Sequence, residues 1–242
     1  MAPVRVVSFD VGTTHLGVWA GEFTGSVERG DQRFPFRFEH WELIDLETQL
    51  LRDVTERLHH ELDRRPFLCD DYDWVLIENQ IDDLVGGGRG NAALYKVGRM
   101  KAVGAVIHSY FYGRRRARGD PNVGRILYVS ARGKLKVYRG DDAHAVVAPR
   151  ASQHERNKAL AVAHVQAMLT DAADELGADG AALLDWFLHV RNARGSLKRD
   201  DVADAFLQAA YWCIKKTGWR TPGTESPHVA TTPALPAFAF VL

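Results

Sequence analysis

Val4-Arg5-Val6-Val7-Ser8-Phe9-Asp10-Val11-Gly12-Thr13-Thr14-His15-Leu16-Gly17 is a β-branched apolar run that stops at a carboxylate and turns through glycine and threonine into Val18-Trp19-Ala20. That pattern predicts a hairpin. A second run, Trp74-Val75-Leu76-Ile77-Glu78, is continuously apolar, as a parallel strand covered on both faces would be, and it too ends on an acid. Carboxylates at the ends of buried strands are costly unless they are paired, hydrogen-bonded or bound to a cation. A divalent cation is the simplest partner for both.

A third acidic stretch is Lys198-Arg199-Asp200-Asp201-Val202-Ala203-Asp204-Ala205-Phe206. Asp10 alone could be a turn former, and Asp200 or Asp201 an ordinary helix N-cap. Capping does not explain Asp204. It lies one turn further in, on a helix apolar around most of its circumference through Ile214. Spacing of three puts Asp201 and Asp204 on one side, and spacing of four would do the same for Asp200 and Asp204, so spacing leaves the two alternatives open.

Together these three stretches, with Asn79 and Gln80 after Glu78, resemble the acidic motifs of RuvC-like Holliday junction resolvases. The nearest branch is the poxvirus and fungal mitochondrial one, whose last motif has the form Lys-Lys-Asp-Asp-x-x-Asp. The resemblance extends from the first motif to about Cys213. It implies an α/β, ribonuclease H-like fold with a five-stranded mixed sheet and helices on both faces. It also implies Asp10, Glu78, Asp201 and Asp204 as catalytic metal ligands, with Asp200 as the adjacent cap. A basic residue beside the scissile phosphate is expected among Arg132, Lys134 and Lys136, and we take Lys134 as the catalytic one.

At 242 residues and 46% apolar content the chain can bury one substantial core. We expect one nuclease domain over 1–216 and an extended tail over 217–242, where Pro222, Pro227, Pro233 and Pro236 accumulate. Nothing is long and apolar enough to span a bilayer, and no targeting peptide is evident. Cys69 and Cys213 read as plain thiols, which suits a reducing intracellular compartment; a viral origin, the nucleus or an organelle are all compatible. The ten histidines lack paired metal-ligand spacing, which argues against zinc.

Net charge is zero, from 31 basic and 31 acidic residues, but it is unevenly spread. Gly113-Arg114-Arg115-Arg116-Ala117-Arg118-Gly119 is a dense basic run, read as a phosphate-binding loop with Arg89, Arg132, Lys134 and Lys136; its bland alternative is a solvated loop. Gly86-Gly87-Gly88-Arg89-Gly90 is too glycine-rich for a regular element and is expected to be a mobile active-site loop.

Further helices are expected over 46–64, 92–112, 155–170 and 179–192, and strands over 36–45 and 125–130. Small residues Gly98, Ala102 and Ala105 would let another helix approach the second of these, with Gly104 and Ala105 expected inside the resulting interface. The resembled family builds a homodimer there, which symmetric cutting of a two-fold junction requires.

The chemistry expected is hydrolysis of a DNA phosphodiester by two Mg²⁺ ions about 4 Å apart, with Mn²⁺ able to substitute. The substrate implied is a four-way junction, cut by paired symmetric nicks that leave 5′-phosphate and 3′-hydroxyl ends. Two rivals stand beside this. Phe9-Asp10-Val11-Gly12-Thr13-Thr14 also matches the first phosphate motif of actin-like kinases and ATPases, where glycine backbone and Thr hydroxyls hold nucleotide. A non-catalytic ribonuclease H-like binding module is the other.

Overall fold

The computed structural model describes residues 2–25, 34–46, 51–70, 72–79, 91–137 and 152–217. The glycine-rich segment with Arg89 and the proline-rich tail from 218 onward lie outside them.

Five strands form one mixed sheet in the order β3-β2-β1-β4-β5. Val4–Val11 (β1) and His15–Phe23 (β2) are the predicted hairpin, and Phe36–Asp45 (β3) extends it antiparallel. Trp74–Asn79 (β4) and Ile126–Ser130 (β5) run parallel to β1. A parallel β1–β4 pair needs a crossover, supplied by Leu51–Asp63 (α1) and the short Phe67–Asp70 (α2). Asn91–Ala117 (α3) joins β4 to β5, and Gln153–His189 (α4) and Arg199–Thr217 (α5) follow.

Side chains alternate across each strand, so the two faces have separate cores. Val7, Phe9 and Val11 of β1 and Val75 and Ile77 of β4 pack with Val54, Leu58 and Leu62 of α1 and Val103, Ile107 and Phe111 of α3. On the other face Val6 and Leu76 meet Val165 and Leu169 of α4 and Val202, Phe206 and Ala209 of α5. Helices therefore cover both faces, as expected. The sheet and its topology are those of a ribonuclease H-like fold.

Three elements differ from expectation. The helices expected over 155–170 and 179–192 are parts of α4, which runs on through residues 171–176 to a break at Gly177, where φ is 59° and only glycine sits without strain. The arginine run is not a loop, because Gly113 does not stop α3 and Arg114, Arg115 and Arg116 form its last turn. Gly104 faces inward: a Cβ there would lie 3.4 Å from both Ile77 and Tyr128 of the sheet, whereas Gly98 and Ala105 face outward. Its small size lets α3 lie close on β4 and β5, so it cannot serve a dimer contact.

Between β3 and α1 lies a charged network. Arg65 donates to both Glu42 oxygens and, over 2.6 Å, to Glu61, while Arg57 stands 2.9 Å from the other Glu61 oxygen and His40 2.6 Å from Glu42. Burial pushes the Glu42 carboxyl up, but hydrogen bonds from His40 and Arg65 outweigh it and hold the group below its ordinary value.

Candidate active site

Asp10 and Glu78 stand just beyond Phe9↔Ile77, the last paired rung between β1 and β4. Alternation puts both on the α5 side of the sheet, in register with Ser8 and Leu76. The first turns of α5 approach that edge closely. A Cβ on Gly17 of β2 would lie 2.2 Å from the carbonyl oxygen of Asp201, so glycine there is what allows the helix to sit down. Two hydrogen bonds fix the helix, one near its start and one at its middle: Trp41 Nε1 donates to Val202 O at 2.9 Å, and the buried Gln208 amide donates to Ser8 Oγ at 3.0 Å. Asp201 and Asp204 then face the strand-end carboxylates. Asp200 turns aside to Lys158, its hydrogen bond to that ammonium holding its carboxyl low against burial. Asp201, and not Asp200, lines the cavity with Asp204.

All four carboxylates line one cavity of about 730 Å³. Asp10 and Glu78 are each 8% exposed. Burial, and then the nearby Glu78 charge, raise the Asp10 carboxyl well above its ordinary value. Asp201 is raised by burial and by Asp200, and Asp204 by burial in spite of Lys134.

Lys134 is the centre of the arrangement. Its Nζ lies 2.6 Å from Asp204 Oδ2, 3.6 Å from Glu78 Oε1 and 3.7 Å from Asp10 Oδ1. Burial alone would lower its pKa, but the three acids reverse that and keep it above the usual lysine value. Arg132 and Lys136 stand exposed at the rim, on either side of it in sequence.

The donor chemistry suits Mg²⁺ or Mn²⁺: four carboxylates with hard oxygens, three of them around one ammonium. Asp204 Oδ1 is buried without a hydrogen-bond partner among the described residues, an acceptor that lacks a cation. No three acids, histidines or cysteines among those residues are already drawn close enough to grip an ion by themselves. The acids are gathered around the ammonium.

The other basic residues separate. Arg115 is 2% exposed, donates to Asn122 O at 2.8 Å and to Tyr72 O, and stands 3.5 Å from Asp120. Tyr72 and Asn122 precede β4 and β5, so this end of α3 lies at the opposite edge of the sheet, roughly 20 Å from the carboxylates along β4. Arg115 is thus buried as a structural clamp, its guanidinium bonded within the fold. Arg114 pairs with Asp63 at 2.6 Å and Arg116 with Tyr112 OH at 3.2 Å; both are at that far edge.

Sequence reasoning missed several lining residues. His154, Asn157 and Lys158 come from the first turns of α4, Lys96 from α3 and Lys198 from the stretch before α5. Only Lys198 carried a signal, through its place in the third motif. His15 also reaches in, 3.9 Å from Asp201 and 3.8 Å from Asp45.

The glycine-threonine turn is tied into the fold: Gly12 N donates to His15 O at 3.1 Å, Thr14 O accepts from Leu46 N at 2.8 Å, and Thr14 Oγ1 contacts His15 Nδ1 at 3.0 Å. Gly12, Thr13 and Thr14 line the same cavity as the carboxylates.

No family model and no curated protein matches the sequence. Among solved structures, the chain is similar to Thermus thermophilus RuvC in complex with Holliday junction substrate, at 17% identity and a TM-score of 0.44, over 89% of this chain and 96% of that one. A second Thermus thermophilus RuvC structure is 20% identical with a TM-score of 0.40, over 88% and 97%. The yeast mitochondrial Holliday junction resolvase Ydc2 is 16% identical with a TM-score of 0.43, over 86% and 77%.

Proposed function

We propose that the protein is a divalent-metal-dependent DNA endonuclease that acts on four-way junctions. The observation that carries this is the convergence of Asp10, Glu78, Asp201 and Asp204, from three separate elements, into one cavity with a basic rim. A structural role would have paired each acid; here Asp10, Glu78 and Asp204 share one lysine, and Asp10, Asp201 and Asp204 are pushed toward protonation.

Mg²⁺, or Mn²⁺ in its place, held by these carboxylates would activate a water and offset the charge on the leaving oxygen. The remaining work falls to the chain. Asp10 and Glu78 hold their oxygens on strand ends that cannot yield. Asp201 and Asp204 bring the opposing oxygens on a helix anchored through Trp41 and Gln208. Arg132 and Lys136 seat the phosphates flanking the scissile one, and Lys198 and Lys158 do so from the α4–α5 side. With water attacking from the carboxylate side, the 3′ oxygen leaves and the ends are 5′-phosphate and 3′-hydroxyl. Substrate choice rests on backbone and shape, because the rim offers cations and no helix shaped to read a groove.

Paired symmetric nicks require two sites, and the outward face of α3, with Gly98, Lys101 and Ala105, is where a second copy would dock. The test is cleavage of a synthetic four-way junction, a linear duplex and an RNA–DNA hybrid in Mg²⁺ and in EDTA. Junction cutting that disappears in EDTA is expected. Faster cutting of the hybrid would assign the same site to a ribonuclease, and no cutting of any substrate would leave a binding module.

A further inference from the structure

We propose that Lys134 is the resident cation of the metal-free site, and that the incoming divalent ions displace its ammonium into the adjoining cavity. The inference rests on the metal-nuclease reading above and adds to it a gate on metal loading.

Placement comes first. A solvated lysine at a cavity rim would turn its ammonium outward, as Lys136 does two residues on. Lys134 instead inserts among Asp10, Glu78 and Asp204, the nearest oxygen 2.6 Å away. Charge counting follows. Four carboxylates carry up to four negative charges; Lys134 faces three of them, and Lys198 and Lys158 stand 3.7 and 3.9 Å from the fourth, Asp201. Two divalent ions would neutralise the four, and the ammonium would then be a surplus like charge at close range. It cannot share the site with them.

Local structure says how it would leave. The 3-10 turn Lys134–Lys136 is held at both sides: Gly133 has φ of 98° and packs so tightly on α5 that a Cβ would meet the Tyr211 ring at 2.5 Å, while Val137 is buried in the core. The backbone therefore stays and the four-carbon stem moves. The cavity of about 730 Å³ beside it is open to receive the ammonium. Until metal arrives the lysine keeps the acids assembled; once it does, metal must outcompete a tethered cation.

The experiment is calorimetric titration of Mn²⁺ and Mg²⁺ into the full chain and into Lys134→Met, with melting temperatures in EDTA and in Mn²⁺. Lys134→Gln is the second variant, should the first fold poorly. Removal of the ammonium is expected to tighten metal binding by about tenfold or more, and to lower the melting temperature in EDTA by roughly 2–4 °C. Metal should then restore more stability to the variant than to the wild type. Unchanged or weaker metal binding by both variants, with wild type still binding metal and cutting junctions, overturns the exchange alone. Absence of metal binding in every protein, together with no junction cleavage, overturns the nuclease reading as well. A lower melting temperature in EDTA would then make Lys134 a permanent counter-ion, and the displacement would be refuted.

Discussion

Two buried acidic clusters in this molecule have opposite electrostatics. At the Arg65 network, Glu42 and Glu61 meet Arg65 and Arg57, and the Glu42 carboxyl is held below its ordinary value. At the strand ends, Asp10, Glu78 and Asp204 share Lys134 while Asp201 stands 3.7 Å from Lys198, and Asp10 is pushed well above its ordinary value. Both clusters are covered by helices. The difference lies in compensation: where each acid has its own guanidinium, the cluster holds the fold together, and where acids outnumber cations, the fold carries a strain that a ligand would relieve.

The largest effect expected from this contrast is on turnover. Asp10→Asn, Glu78→Gln, Asp201→Asn or Asp204→Asn should each abolish junction cleavage while junction binding, read by gel shift, persists. Asp200→Asn should keep most activity. If Asp200→Asn is the dead variant, the assignment of the helix face is off by one.

Stability should then move in opposite directions at the two clusters. Arg65→Met strands two acids and should cost about 3 kcal/mol in urea unfolding. Asp10→Asn, measured in EDTA, should instead stabilise by something on the order of 1 kcal/mol. A loss from Asp10→Asn equal to that from Arg65→Met would erase the distinction.

Oligomeric state comes next. Ala105→Glu puts a charge on the outward face of α3 and should convert a dimer to monomers by light scattering; the inward Gly104 is unsuitable for this test because it faces Ile77 and Tyr128 of the sheet.

Acid gives a subtler separation. Glu42 has a lowered folded pKa, so its contribution is complete above its unfolded value and is lost as pH falls through the folded one. Asp10 has a raised folded pKa, so its penalty is complete above the folded value and is relieved as pH falls through it toward the unfolded one. In EDTA, Asp10→Asn should flatten the part of the stability profile where wild type gains on mild acidification, and Glu42→Gln should flatten the loss below it. Identical profiles for both variants would count against the contrast.

The smallest effect is on salt dependence of junction binding. Neutralising Arg132 and Lys136 should reduce the slope by about two counterions. Arg114 and Arg116, at the far edge of the sheet, should change it less.

The strand-end acids were legible because each terminates an apolar run, a local pattern that no packing can disguise. The choice between Asp200 and Asp201 was not, since it depends on Lys158, 42 residues away, drawing Asp200 aside. Lys134 could be named only through a family resemblance, and its insertion among the acids depends on how Gly133 meets Tyr211. The arginine run misled because repetition of one residue type says nothing about burial: Arg115 is consumed by carbonyls that only the crossover topology brings near. Gly104 misled for the same reason, its neighbours being sheet residues distant in sequence.

The hydrogen bond from Gln208 to Ser8 spans 200 residues, and the acids it helps align are almost as far apart. This makes the site a product of time as well as of space. During synthesis Asp10 emerges early and waits; Glu78 joins it on the growing sheet, and Asp201 and Asp204 arrive only when nearly all the described chain has been made. Until α5 is made, the chain holds half of the acid set at most. The last described helix completes it.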